Sequence, residues 1–321
     1  MEWAYWAGFI LLVMFLLYLD LGVLNKNPHE VKTKEALGWT LFWVFISLLF
    51  NVFVYYAYEH QLIHTFTGAE ELSGYEAALK YFTGYLIEKS LSLDNIFVIA
   101  MIFSYFQVPL KYQHEVLFWG ILGAIVFRGI MIVVGAALIN QFDWITYVFG
   151  ALLIVSAVKM AKEGENQEYI PDTNPFLKLA KKLYPVSHEM NGTFFHTING
   201  VKHITSLFVV LIVIETTDIM FAVDSIPAIF AVTTDSFIVF TSNIFAILGL
   251  RSLYFVLAAM MNKFKYIKYS LVFILGFVGI KMLLIHHYKF DTWVSLSVII
   301  GLLTIGILAS INNNKKTESN S

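Results

Sequence analysis

Nine stretches of this chain are apolar for long enough to cross a bilayer's hydrocarbon layer of roughly 30 Å, which takes about 20 residues of helix. They fall near 3–24, 38–58, 79–106, 115–139, 143–162, 203–231, 235–261, 267–287 and 291–312. In lipid every backbone N–H and C=O must be satisfied within the protein, so segments of this kind become helices rather than open sheet. The expected fold is an all-α, multi-pass membrane protein of about nine transmembrane helices, a single transmembrane domain over 1–321. Composition agrees, with 14% charged residues against 58% hydrophobic ones and a mean hydropathy of +0.71. Glu2 precedes the first stretch where a secretory leader needs positive charge, and the stretch reads as a retained span.

Lysines set the orientation. Lys26, Lys32, Lys34, Lys111, Lys162, Lys178, Lys181, Lys182, Lys202, Lys263, Lys265, Lys268, Lys315 and Lys316 fall on alternate connections, while the others hold only Lys80 and Lys289. By the positive-inside rule the amino terminus faces out and the carboxyl terminus faces the cytoplasm. The one long polar connection, 163–202, contains Pro171, Pro175 and Pro185 and is expected to be a cytoplasmic linker with a short amphipathic helix. Residues 312–321 are expected to be a flexible tail.

Several functions are excluded at this level. A net charge of −2 gives no basic surface for nucleic acid. The absence of cysteine removes thiolate catalysis, iron–sulfur clusters and thiolate metal sites, so any metal must be held by oxygen or imidazole. His29-Glu30, His114-Glu115 and His188-Glu189 each lack the second histidine of a zinc peptidase helix. No Gly-x4-Gly-Lys-Ser/Thr loop for ATP and no Gly-x-Gly-Asp pattern of a membrane aspartyl protease occurs, so the chain is not expected to be an enzyme, nor to use an organic cofactor.

The chain repeats itself. Glu88, Asp94, Asn95, Ile96 and Ile99 match Asp218, Asp224, Ser225, Ile226 and Ile229 at a spacing of 130 residues. Arg128 then matches Arg251, and Lys159-Met160 matches Lys281-Met282. Three consecutive spans recur in order, helices 3–5 over 79–162 and helices 6–8 over 203–287. Three is odd, so the second copy enters from the opposite side and makes an inverted repeat, an architecture whose substrates bind near the bilayer midplane.

An ionised residue at the centre of a membrane helix costs at least about 2.5 kcal/mol. Glu88 and Asp94 in the third span, and Glu215, Asp218 and Asp224 in the sixth, are therefore candidates for function. At 3.6 residues per turn Glu88, Ser92 and Asn95 share one stripe, as do Glu215, Asp218, Ala222 and Ser225. Asp94 and Asp224 lie about 120° from the acid six positions earlier, so an intact helix cannot aim both acids at one ion. Pro227 is expected to open the second helix there and free a carbonyl. Oxygen donors without sulfur suit Mg2+, Ca2+ or Mn2+. Surplus acids in low dielectric also suit an exchange of metal against protons. Arg128 and Arg251 are read as counter-charges for the empty site, and Lys159 and Lys281 as snorkelling residues. Small residues such as Gly120, Gly123, Gly276 and Gly279 are assigned to close packing, and His60, His64, His286 and His287 to the outer face.

The stretches Glu88-Lys-Ser-Leu-Ser-Leu-Asp94-Asn95 and Glu215-Thr-Thr-Asp218-Ile-Met-Phe-Ala-Val-Asp224-Ser225-Ile-Pro227, with Asn243 through Arg251 and Phe118 through Arg128, resemble the TerC family, in its Alx-like branch. The resemblance runs from Asp20-Leu21 to about Lys281. It implies a LysE-type transporter of inverted three-helix repeats in a bacterial inner membrane, exporting Mn2+ as a secondary transporter. It also implies that Glu88, Asp94, Asn95, Asp218, Asp224 and Ser225 hold the ion, with Glu215 and Asn243 as further ligands. The competing reading is a metal-binding membrane scaffold that assists secretion or metalation of other proteins. Neither oligomeric state nor coupling ion follows from the residues.

Overall fold

The computed structural model describes residues 2–19, 33–63, 72–162, 175–187, 192–198, 200–258, 266–288 and 290–319. Asp20 and His64 lie outside them. Eleven helices and three short strands run in the order α1 (Glu2–Tyr18), α2 (Thr33–Glu59), α3 (Gly74–Tyr105), α4 (Leu110–Gln141), α5 (Ile145–Lys162), α6 (Pro175–Leu183), β1 (Val186–Ser187), β2 (Phe195–Ile198), β3 (Val201–Thr205), α7 (Ser206–Phe230), α8 (Ser236–Leu248), α9 (Leu250–Ala258), α10 (Ile267–Leu283) and α11 (Thr292–Ser319). Among the described residues five helices, α2, α4, α5, α7 and α11, are long and apolar enough to span a membrane. The pair α8 and α9, bent by 43° at its break, makes a sixth if taken as one span. Of the expected nine, α1 and α10 are 17 residues each, and α3, at 32 residues, carries Lys80, Glu88, Lys89 and Asp94. The chain is an all-α membrane protein with one small sheet outside its spans.

Local chemistry sets where the helices begin. Ser73 and Glu76 form a capping box on α3, with Glu76 N donating to Ser73 Oγ at 3.3 Å and Ser73 N to Glu76 Oε2 at 3.2 Å. Asp235 caps α8, accepting from Phe237 N at 2.9 Å and Ile238 N at 3.0 Å, and also from Tyr58 Oη at 2.8 Å. Burial pushes the Asp235 carboxyl above the usual carboxylate range, against the pull of those hydrogen bonds.

These contacts gather one end of the bundle. Gly74 N donates to Glu59 Oε2 at 3.0 Å, Trp293 Nε1 donates to Tyr75 Oη at 2.6 Å, and Thr146 Oγ1 lies 3.1 Å from His286 Nε2. A cleft of about 730 Å³ opens here between the start of α3, the α7–α8 turn and the α10–α11 turn. At the other end Tyr254 Oη donates to Gln113 Oε1 at 2.9 Å, and Tyr266 N donates to Ser310 Oγ at 3.0 Å. Consecutive long helices therefore alternate in direction.

Three hydrophobic clusters fill the interior. In one, Ile87 and Leu91 of α3 meet Ala222, Ile226 and Ile229 of α7. In another, Ile96 through Phe103 meet Leu207 through Ile214. This pairing makes α3 and α7 antiparallel neighbours. Their helix partners cross over, α3 packing on α8 and α4 on α7, and α5 lies against α10.

Several expectations are corrected. The connection 163–202 holds α6 but also most of a three-stranded sheet in the order β1-β3-β2. Its hairpin turns at Gly200, whose φ of +79° suits glycine, and the Asn199-Gly200 dipeptide between strand-like runs is a hairpin signal the sequence reading passed over. Residues 312–319 continue α11 as helix. The helix α7 stays intact through Pro227, which falls in its last turn. The break occurs instead at Gly249, where Lys89 Nζ donates to the carbonyl of Ala246 at 3.1 Å. Lys281 does not snorkel; it is 6% exposed and donates to Ser295 Oγ at 2.9 Å.

Helices α5 and α10 approach backbone to backbone. A Cβ on Gly150 or on Gly279 would lie 3.0 Å from the other's carbonyl oxygen, and others of its neighbours would be 2.9 Å away. Gly276, expected to serve the same purpose, has nothing within 4 Å. Gly150→Ala or Gly279→Ala should lower stability by about 1–3 kcal/mol through overpacking. Gly276→Ala should raise it by up to about 1 kcal/mol through helix propensity. Thermal unfolding of the detergent-solubilised protein tests both, and equal shifts in all three variants would refute the packing assignment.

Candidate cation site

Where α3, α4, α7 and α8 meet, their polar side chains converge on Arg128. Glu88 comes from α3, Asp218 and Ser225 from α7, and Asn243 from α8. Gly120 on α4, about two turns before Arg128, lies against Ile214 of α7, where a Cβ would already be in contact at 3.4 Å, and so lets α7 approach closely. The side chains of Arg128 and Glu88 are 1% and 0% exposed, and that of Asp218 is 13% exposed.

The guanidinium grips Asp218 with two parallel bonds, Nη2 to Oδ1 at 2.8 Å and Nε to Oδ2 at 3.1 Å. Its Nη1 faces three acceptors at once: Glu88 Oε1 in a close ion pair, Ser225 Oγ at 3.3 Å and Asn243 Oδ1 at 3.4 Å. Asn243 then donates from Nδ2 to the second Glu88 oxygen at 3.1 Å. Two carboxylates, an amide and a hydroxyl thus form one closed network around a cation. That fork geometry is the arginine counterpart of multidentate oxygen ligation.

Not all eight residues expected at the ion come together. Asn95 is buried on α3, at 4% exposure, but takes no part in this network. Glu215 sits less than a turn from Asp218 and places its carboxylate in the notch left by Gly123 on α4, where a Cβ would collide with it. Its Oε2 is buried and has no hydrogen-bond partner. Asp224 turns to α5 and accepts from Ser156 Oγ at 2.6 Å. Because α3 and α7 are antiparallel, the six-residue steps from Glu88 to Asp94 and from Asp218 to Asp224, each about 9 Å along its helix, run in opposite directions. Among the described residues no three Asp, Glu, His or Cys side chains gather in a metal-like group.

Sequence reasoning assigned Arg128 a counter-charge role, and the geometry gives it the central position. It missed Ser156, whose only signal is a hydroxyl in an apolar span, and it treated Gly123 as packing alone. The described histidines that were expected at the outer face take separate partners: His60 Nδ1 lies 3.0 Å from the Tyr56 carbonyl, while His286 faces Thr146 and the Tyr147 ring.

Residues 73–318 match the integral membrane protein TerC family. An uncharacterized membrane protein, STKORF319, of Myxococcus xanthus is 49% identical over 307 residues, covering 95% of this chain and 91% of that protein. A protein of Escherichia coli (strain K12) named "Putative membrane-bound redox modulator Alx" is 48% identical over 301 residues, covering 94% and 92%. An uncharacterized membrane protein of Rickettsia bellii is 44% identical over 306 residues, covering 95% and 96%. No solved structure matches.

Removing one partner of a buried ion pair leaves the other charge uncompensated, at a cost of about 3–5 kcal/mol. Asp218→Asn should therefore lower thermal stability steeply. Glu215→Gln, which touches an acid without a hydrogen-bond partner, should be neutral or stabilising. A melting series in detergent in which the order is reversed would show that Arg128 does not depend on Asp218.

Proposed function

The chain belongs to the TerC family of integral membrane proteins, and from that premise we propose that it is a secondary transporter exporting a hard divalent cation, Mn2+ before Ca2+ or Mg2+, through the Glu88–Asp218 centre. The observation that carries the reading is the convergence of Glu88, Asp218, Ser225 and Asn243 from three helices deep in the bundle, where Glu88, Ser225 and Asn243 are buried and Asp218 is largely so. Each supplies oxygen to a central cation, as Mn2+ or Mg2+ requires. Carboxylates at that depth are too costly to serve packing alone.

The inverted repeat is part of this proposal. Exchange of partners between the helix triplets supports it: α3 on α8 answers α4 on α7, and α3–α7 and α5–α10 lie on the axis that would relate them. Counting α1, α3, α10 and the bent pair as crossings gives nine, with the amino terminus outside and the carboxyl terminus in the cytoplasm of a bacterial inner membrane. Asp94 and Asp224, on opposite sides of the centre, become way stations for the ion rather than its ligands. Metal is expected to leave in exchange for protons.

The redox role in the name of the Escherichia coli relative cannot act here through thiols, since this chain has no cysteine. Transport of a redox-active metal would supply such a role indirectly.

Uptake of radioactive Mn2+ into inverted vesicles tests the reading. Glu88→Gln and Asp218→Asn should abolish both binding and flux. Asp94→Asn and Asp224→Asn should slow flux by about tenfold or more while binding persists, because they change the approach to the site and not its ligands. Binding without flux in the wild type would make the protein a metal-binding scaffold. Flux unaffected by collapse of the pH gradient would remove proton exchange.

A further inference from the structure

We propose that Arg128 is the substrate's resident competitor: the ion enters only by displacing the guanidinium, which moves to Glu215. The inference rests on the transport reading and adds the step that makes room for the ion.

Every oxygen at the centre is already engaged. Glu88 gives one carboxylate oxygen to Arg128 and the other to Asn243, Asp218 gives both to Arg128, and Ser225 and Asn243 Oδ1 face the same Nη1. A dication would need those same lone pairs at roughly 2.0–2.6 Å. It cannot share them with a guanidinium a few ångströms away, because two cations at that distance in a poorly screened interior repel strongly. Nor can arginine yield by losing its proton, which it keeps at any physiological pH. The group has to move.

The structure offers one nearby destination. Glu215 stands three residues before Asp218 on α7, about 4.5 Å along the helix axis. Its carboxylate rests against Gly123, five residues before Arg128 on α4, and its Oε2 is a buried acceptor without a hydrogen-bond partner among the described residues. The missing Cβ at Gly123 is what lets the carboxylate lie there. With the guanidinium on Glu215, the ion takes Glu88, Asp218, Ser225 and Asn243, and each cation keeps an acid beside it in both states.

Equilibrium binding of Mn2+ alone to the detergent-solubilised full chain, read by calorimetry, tests the exchange. Removing the competitor in Arg128→Gln should tighten binding by about tenfold or more. Arg128→Lys, which keeps the charge but loses the two-pronged grip on Asp218, should tighten it less and serves if the neutral variant does not fold. Glu215→Gln should weaken binding in the wild type and have no effect in the Arg128→Gln background, whereas a ligand role for Glu215 would weaken both equally. Unchanged or weaker binding in both Arg128 variants, or a Glu215→Gln effect that persists without the arginine, overturns the exchange while leaving transport standing. Wild-type protein that neither binds nor moves Mn2+ overturns the transport reading and the exchange with it.

Discussion

A guanidinium that cannot lose its proton is sealed among acids from two helices running in opposite directions, and the rest of the interior is arranged around that requirement. Arg128 leaves α4, takes Asp218 of α7 with both prongs and reaches Glu88 of α3, while Asn243 of α8 closes the ring. Four helices are thereby fixed in register at one depth. Apolar clusters pack the interior around it, but they are interchangeable in a way that this polar knot is not. Matching carboxylates at that depth would be ruinous without a cation, so the chain carries one of its own.

Helix direction spreads the repeated acids along the bundle. Had α3 and α7 run parallel, the second acids of the two motifs would lie together on the same side of the first pair. Running antiparallel, they diverge, Asp94 toward one face and Asp224 toward the other, where Ser156 receives it. A single sequence motif used twice thus places one pair of acids on the same arginine and sends the other pair in opposite directions along the bundle. The cleft at one end, between the start of α3 and the α7–α8 turn, lies on the Asp224 side of that line.

Much of this was legible in the sequence. Apolar runs gave the membrane class, and lysine spacing gave alternation of the connections. The repeated acid-x5-acid pattern singled out Glu88, Asp94, Asp218 and Asp224, and periodicity separated the second acids from the first by angle. Neighbours across helices were not legible. Nothing in the residues around Glu215 says that its carboxylate fits a notch on α4 and leaves the centre, because that depends on which glycine faces it. Pro227 looked like the helix break because proline disfavours helix interiors, yet it falls where α7 ends and costs little. The real break, at Gly249, depends on Lys89 arriving from another helix to satisfy a carbonyl. The hairpin of β2 and β3 was missed because attention to hydrophobic length hid a turn signal that stood in plain sight.

The seam between α5 and α10 has a mechanical consequence. Where Gly150 and Gly279 meet, each glycine sits against the other's carbonyl oxygen, with Leu153 and Ile154 of α5 and Leu283 at the end of α10 closing around them. The seam is therefore a fixed spacer: neither helix can be drawn nearer, and any side chain added at either glycine would push α5 and α10 apart.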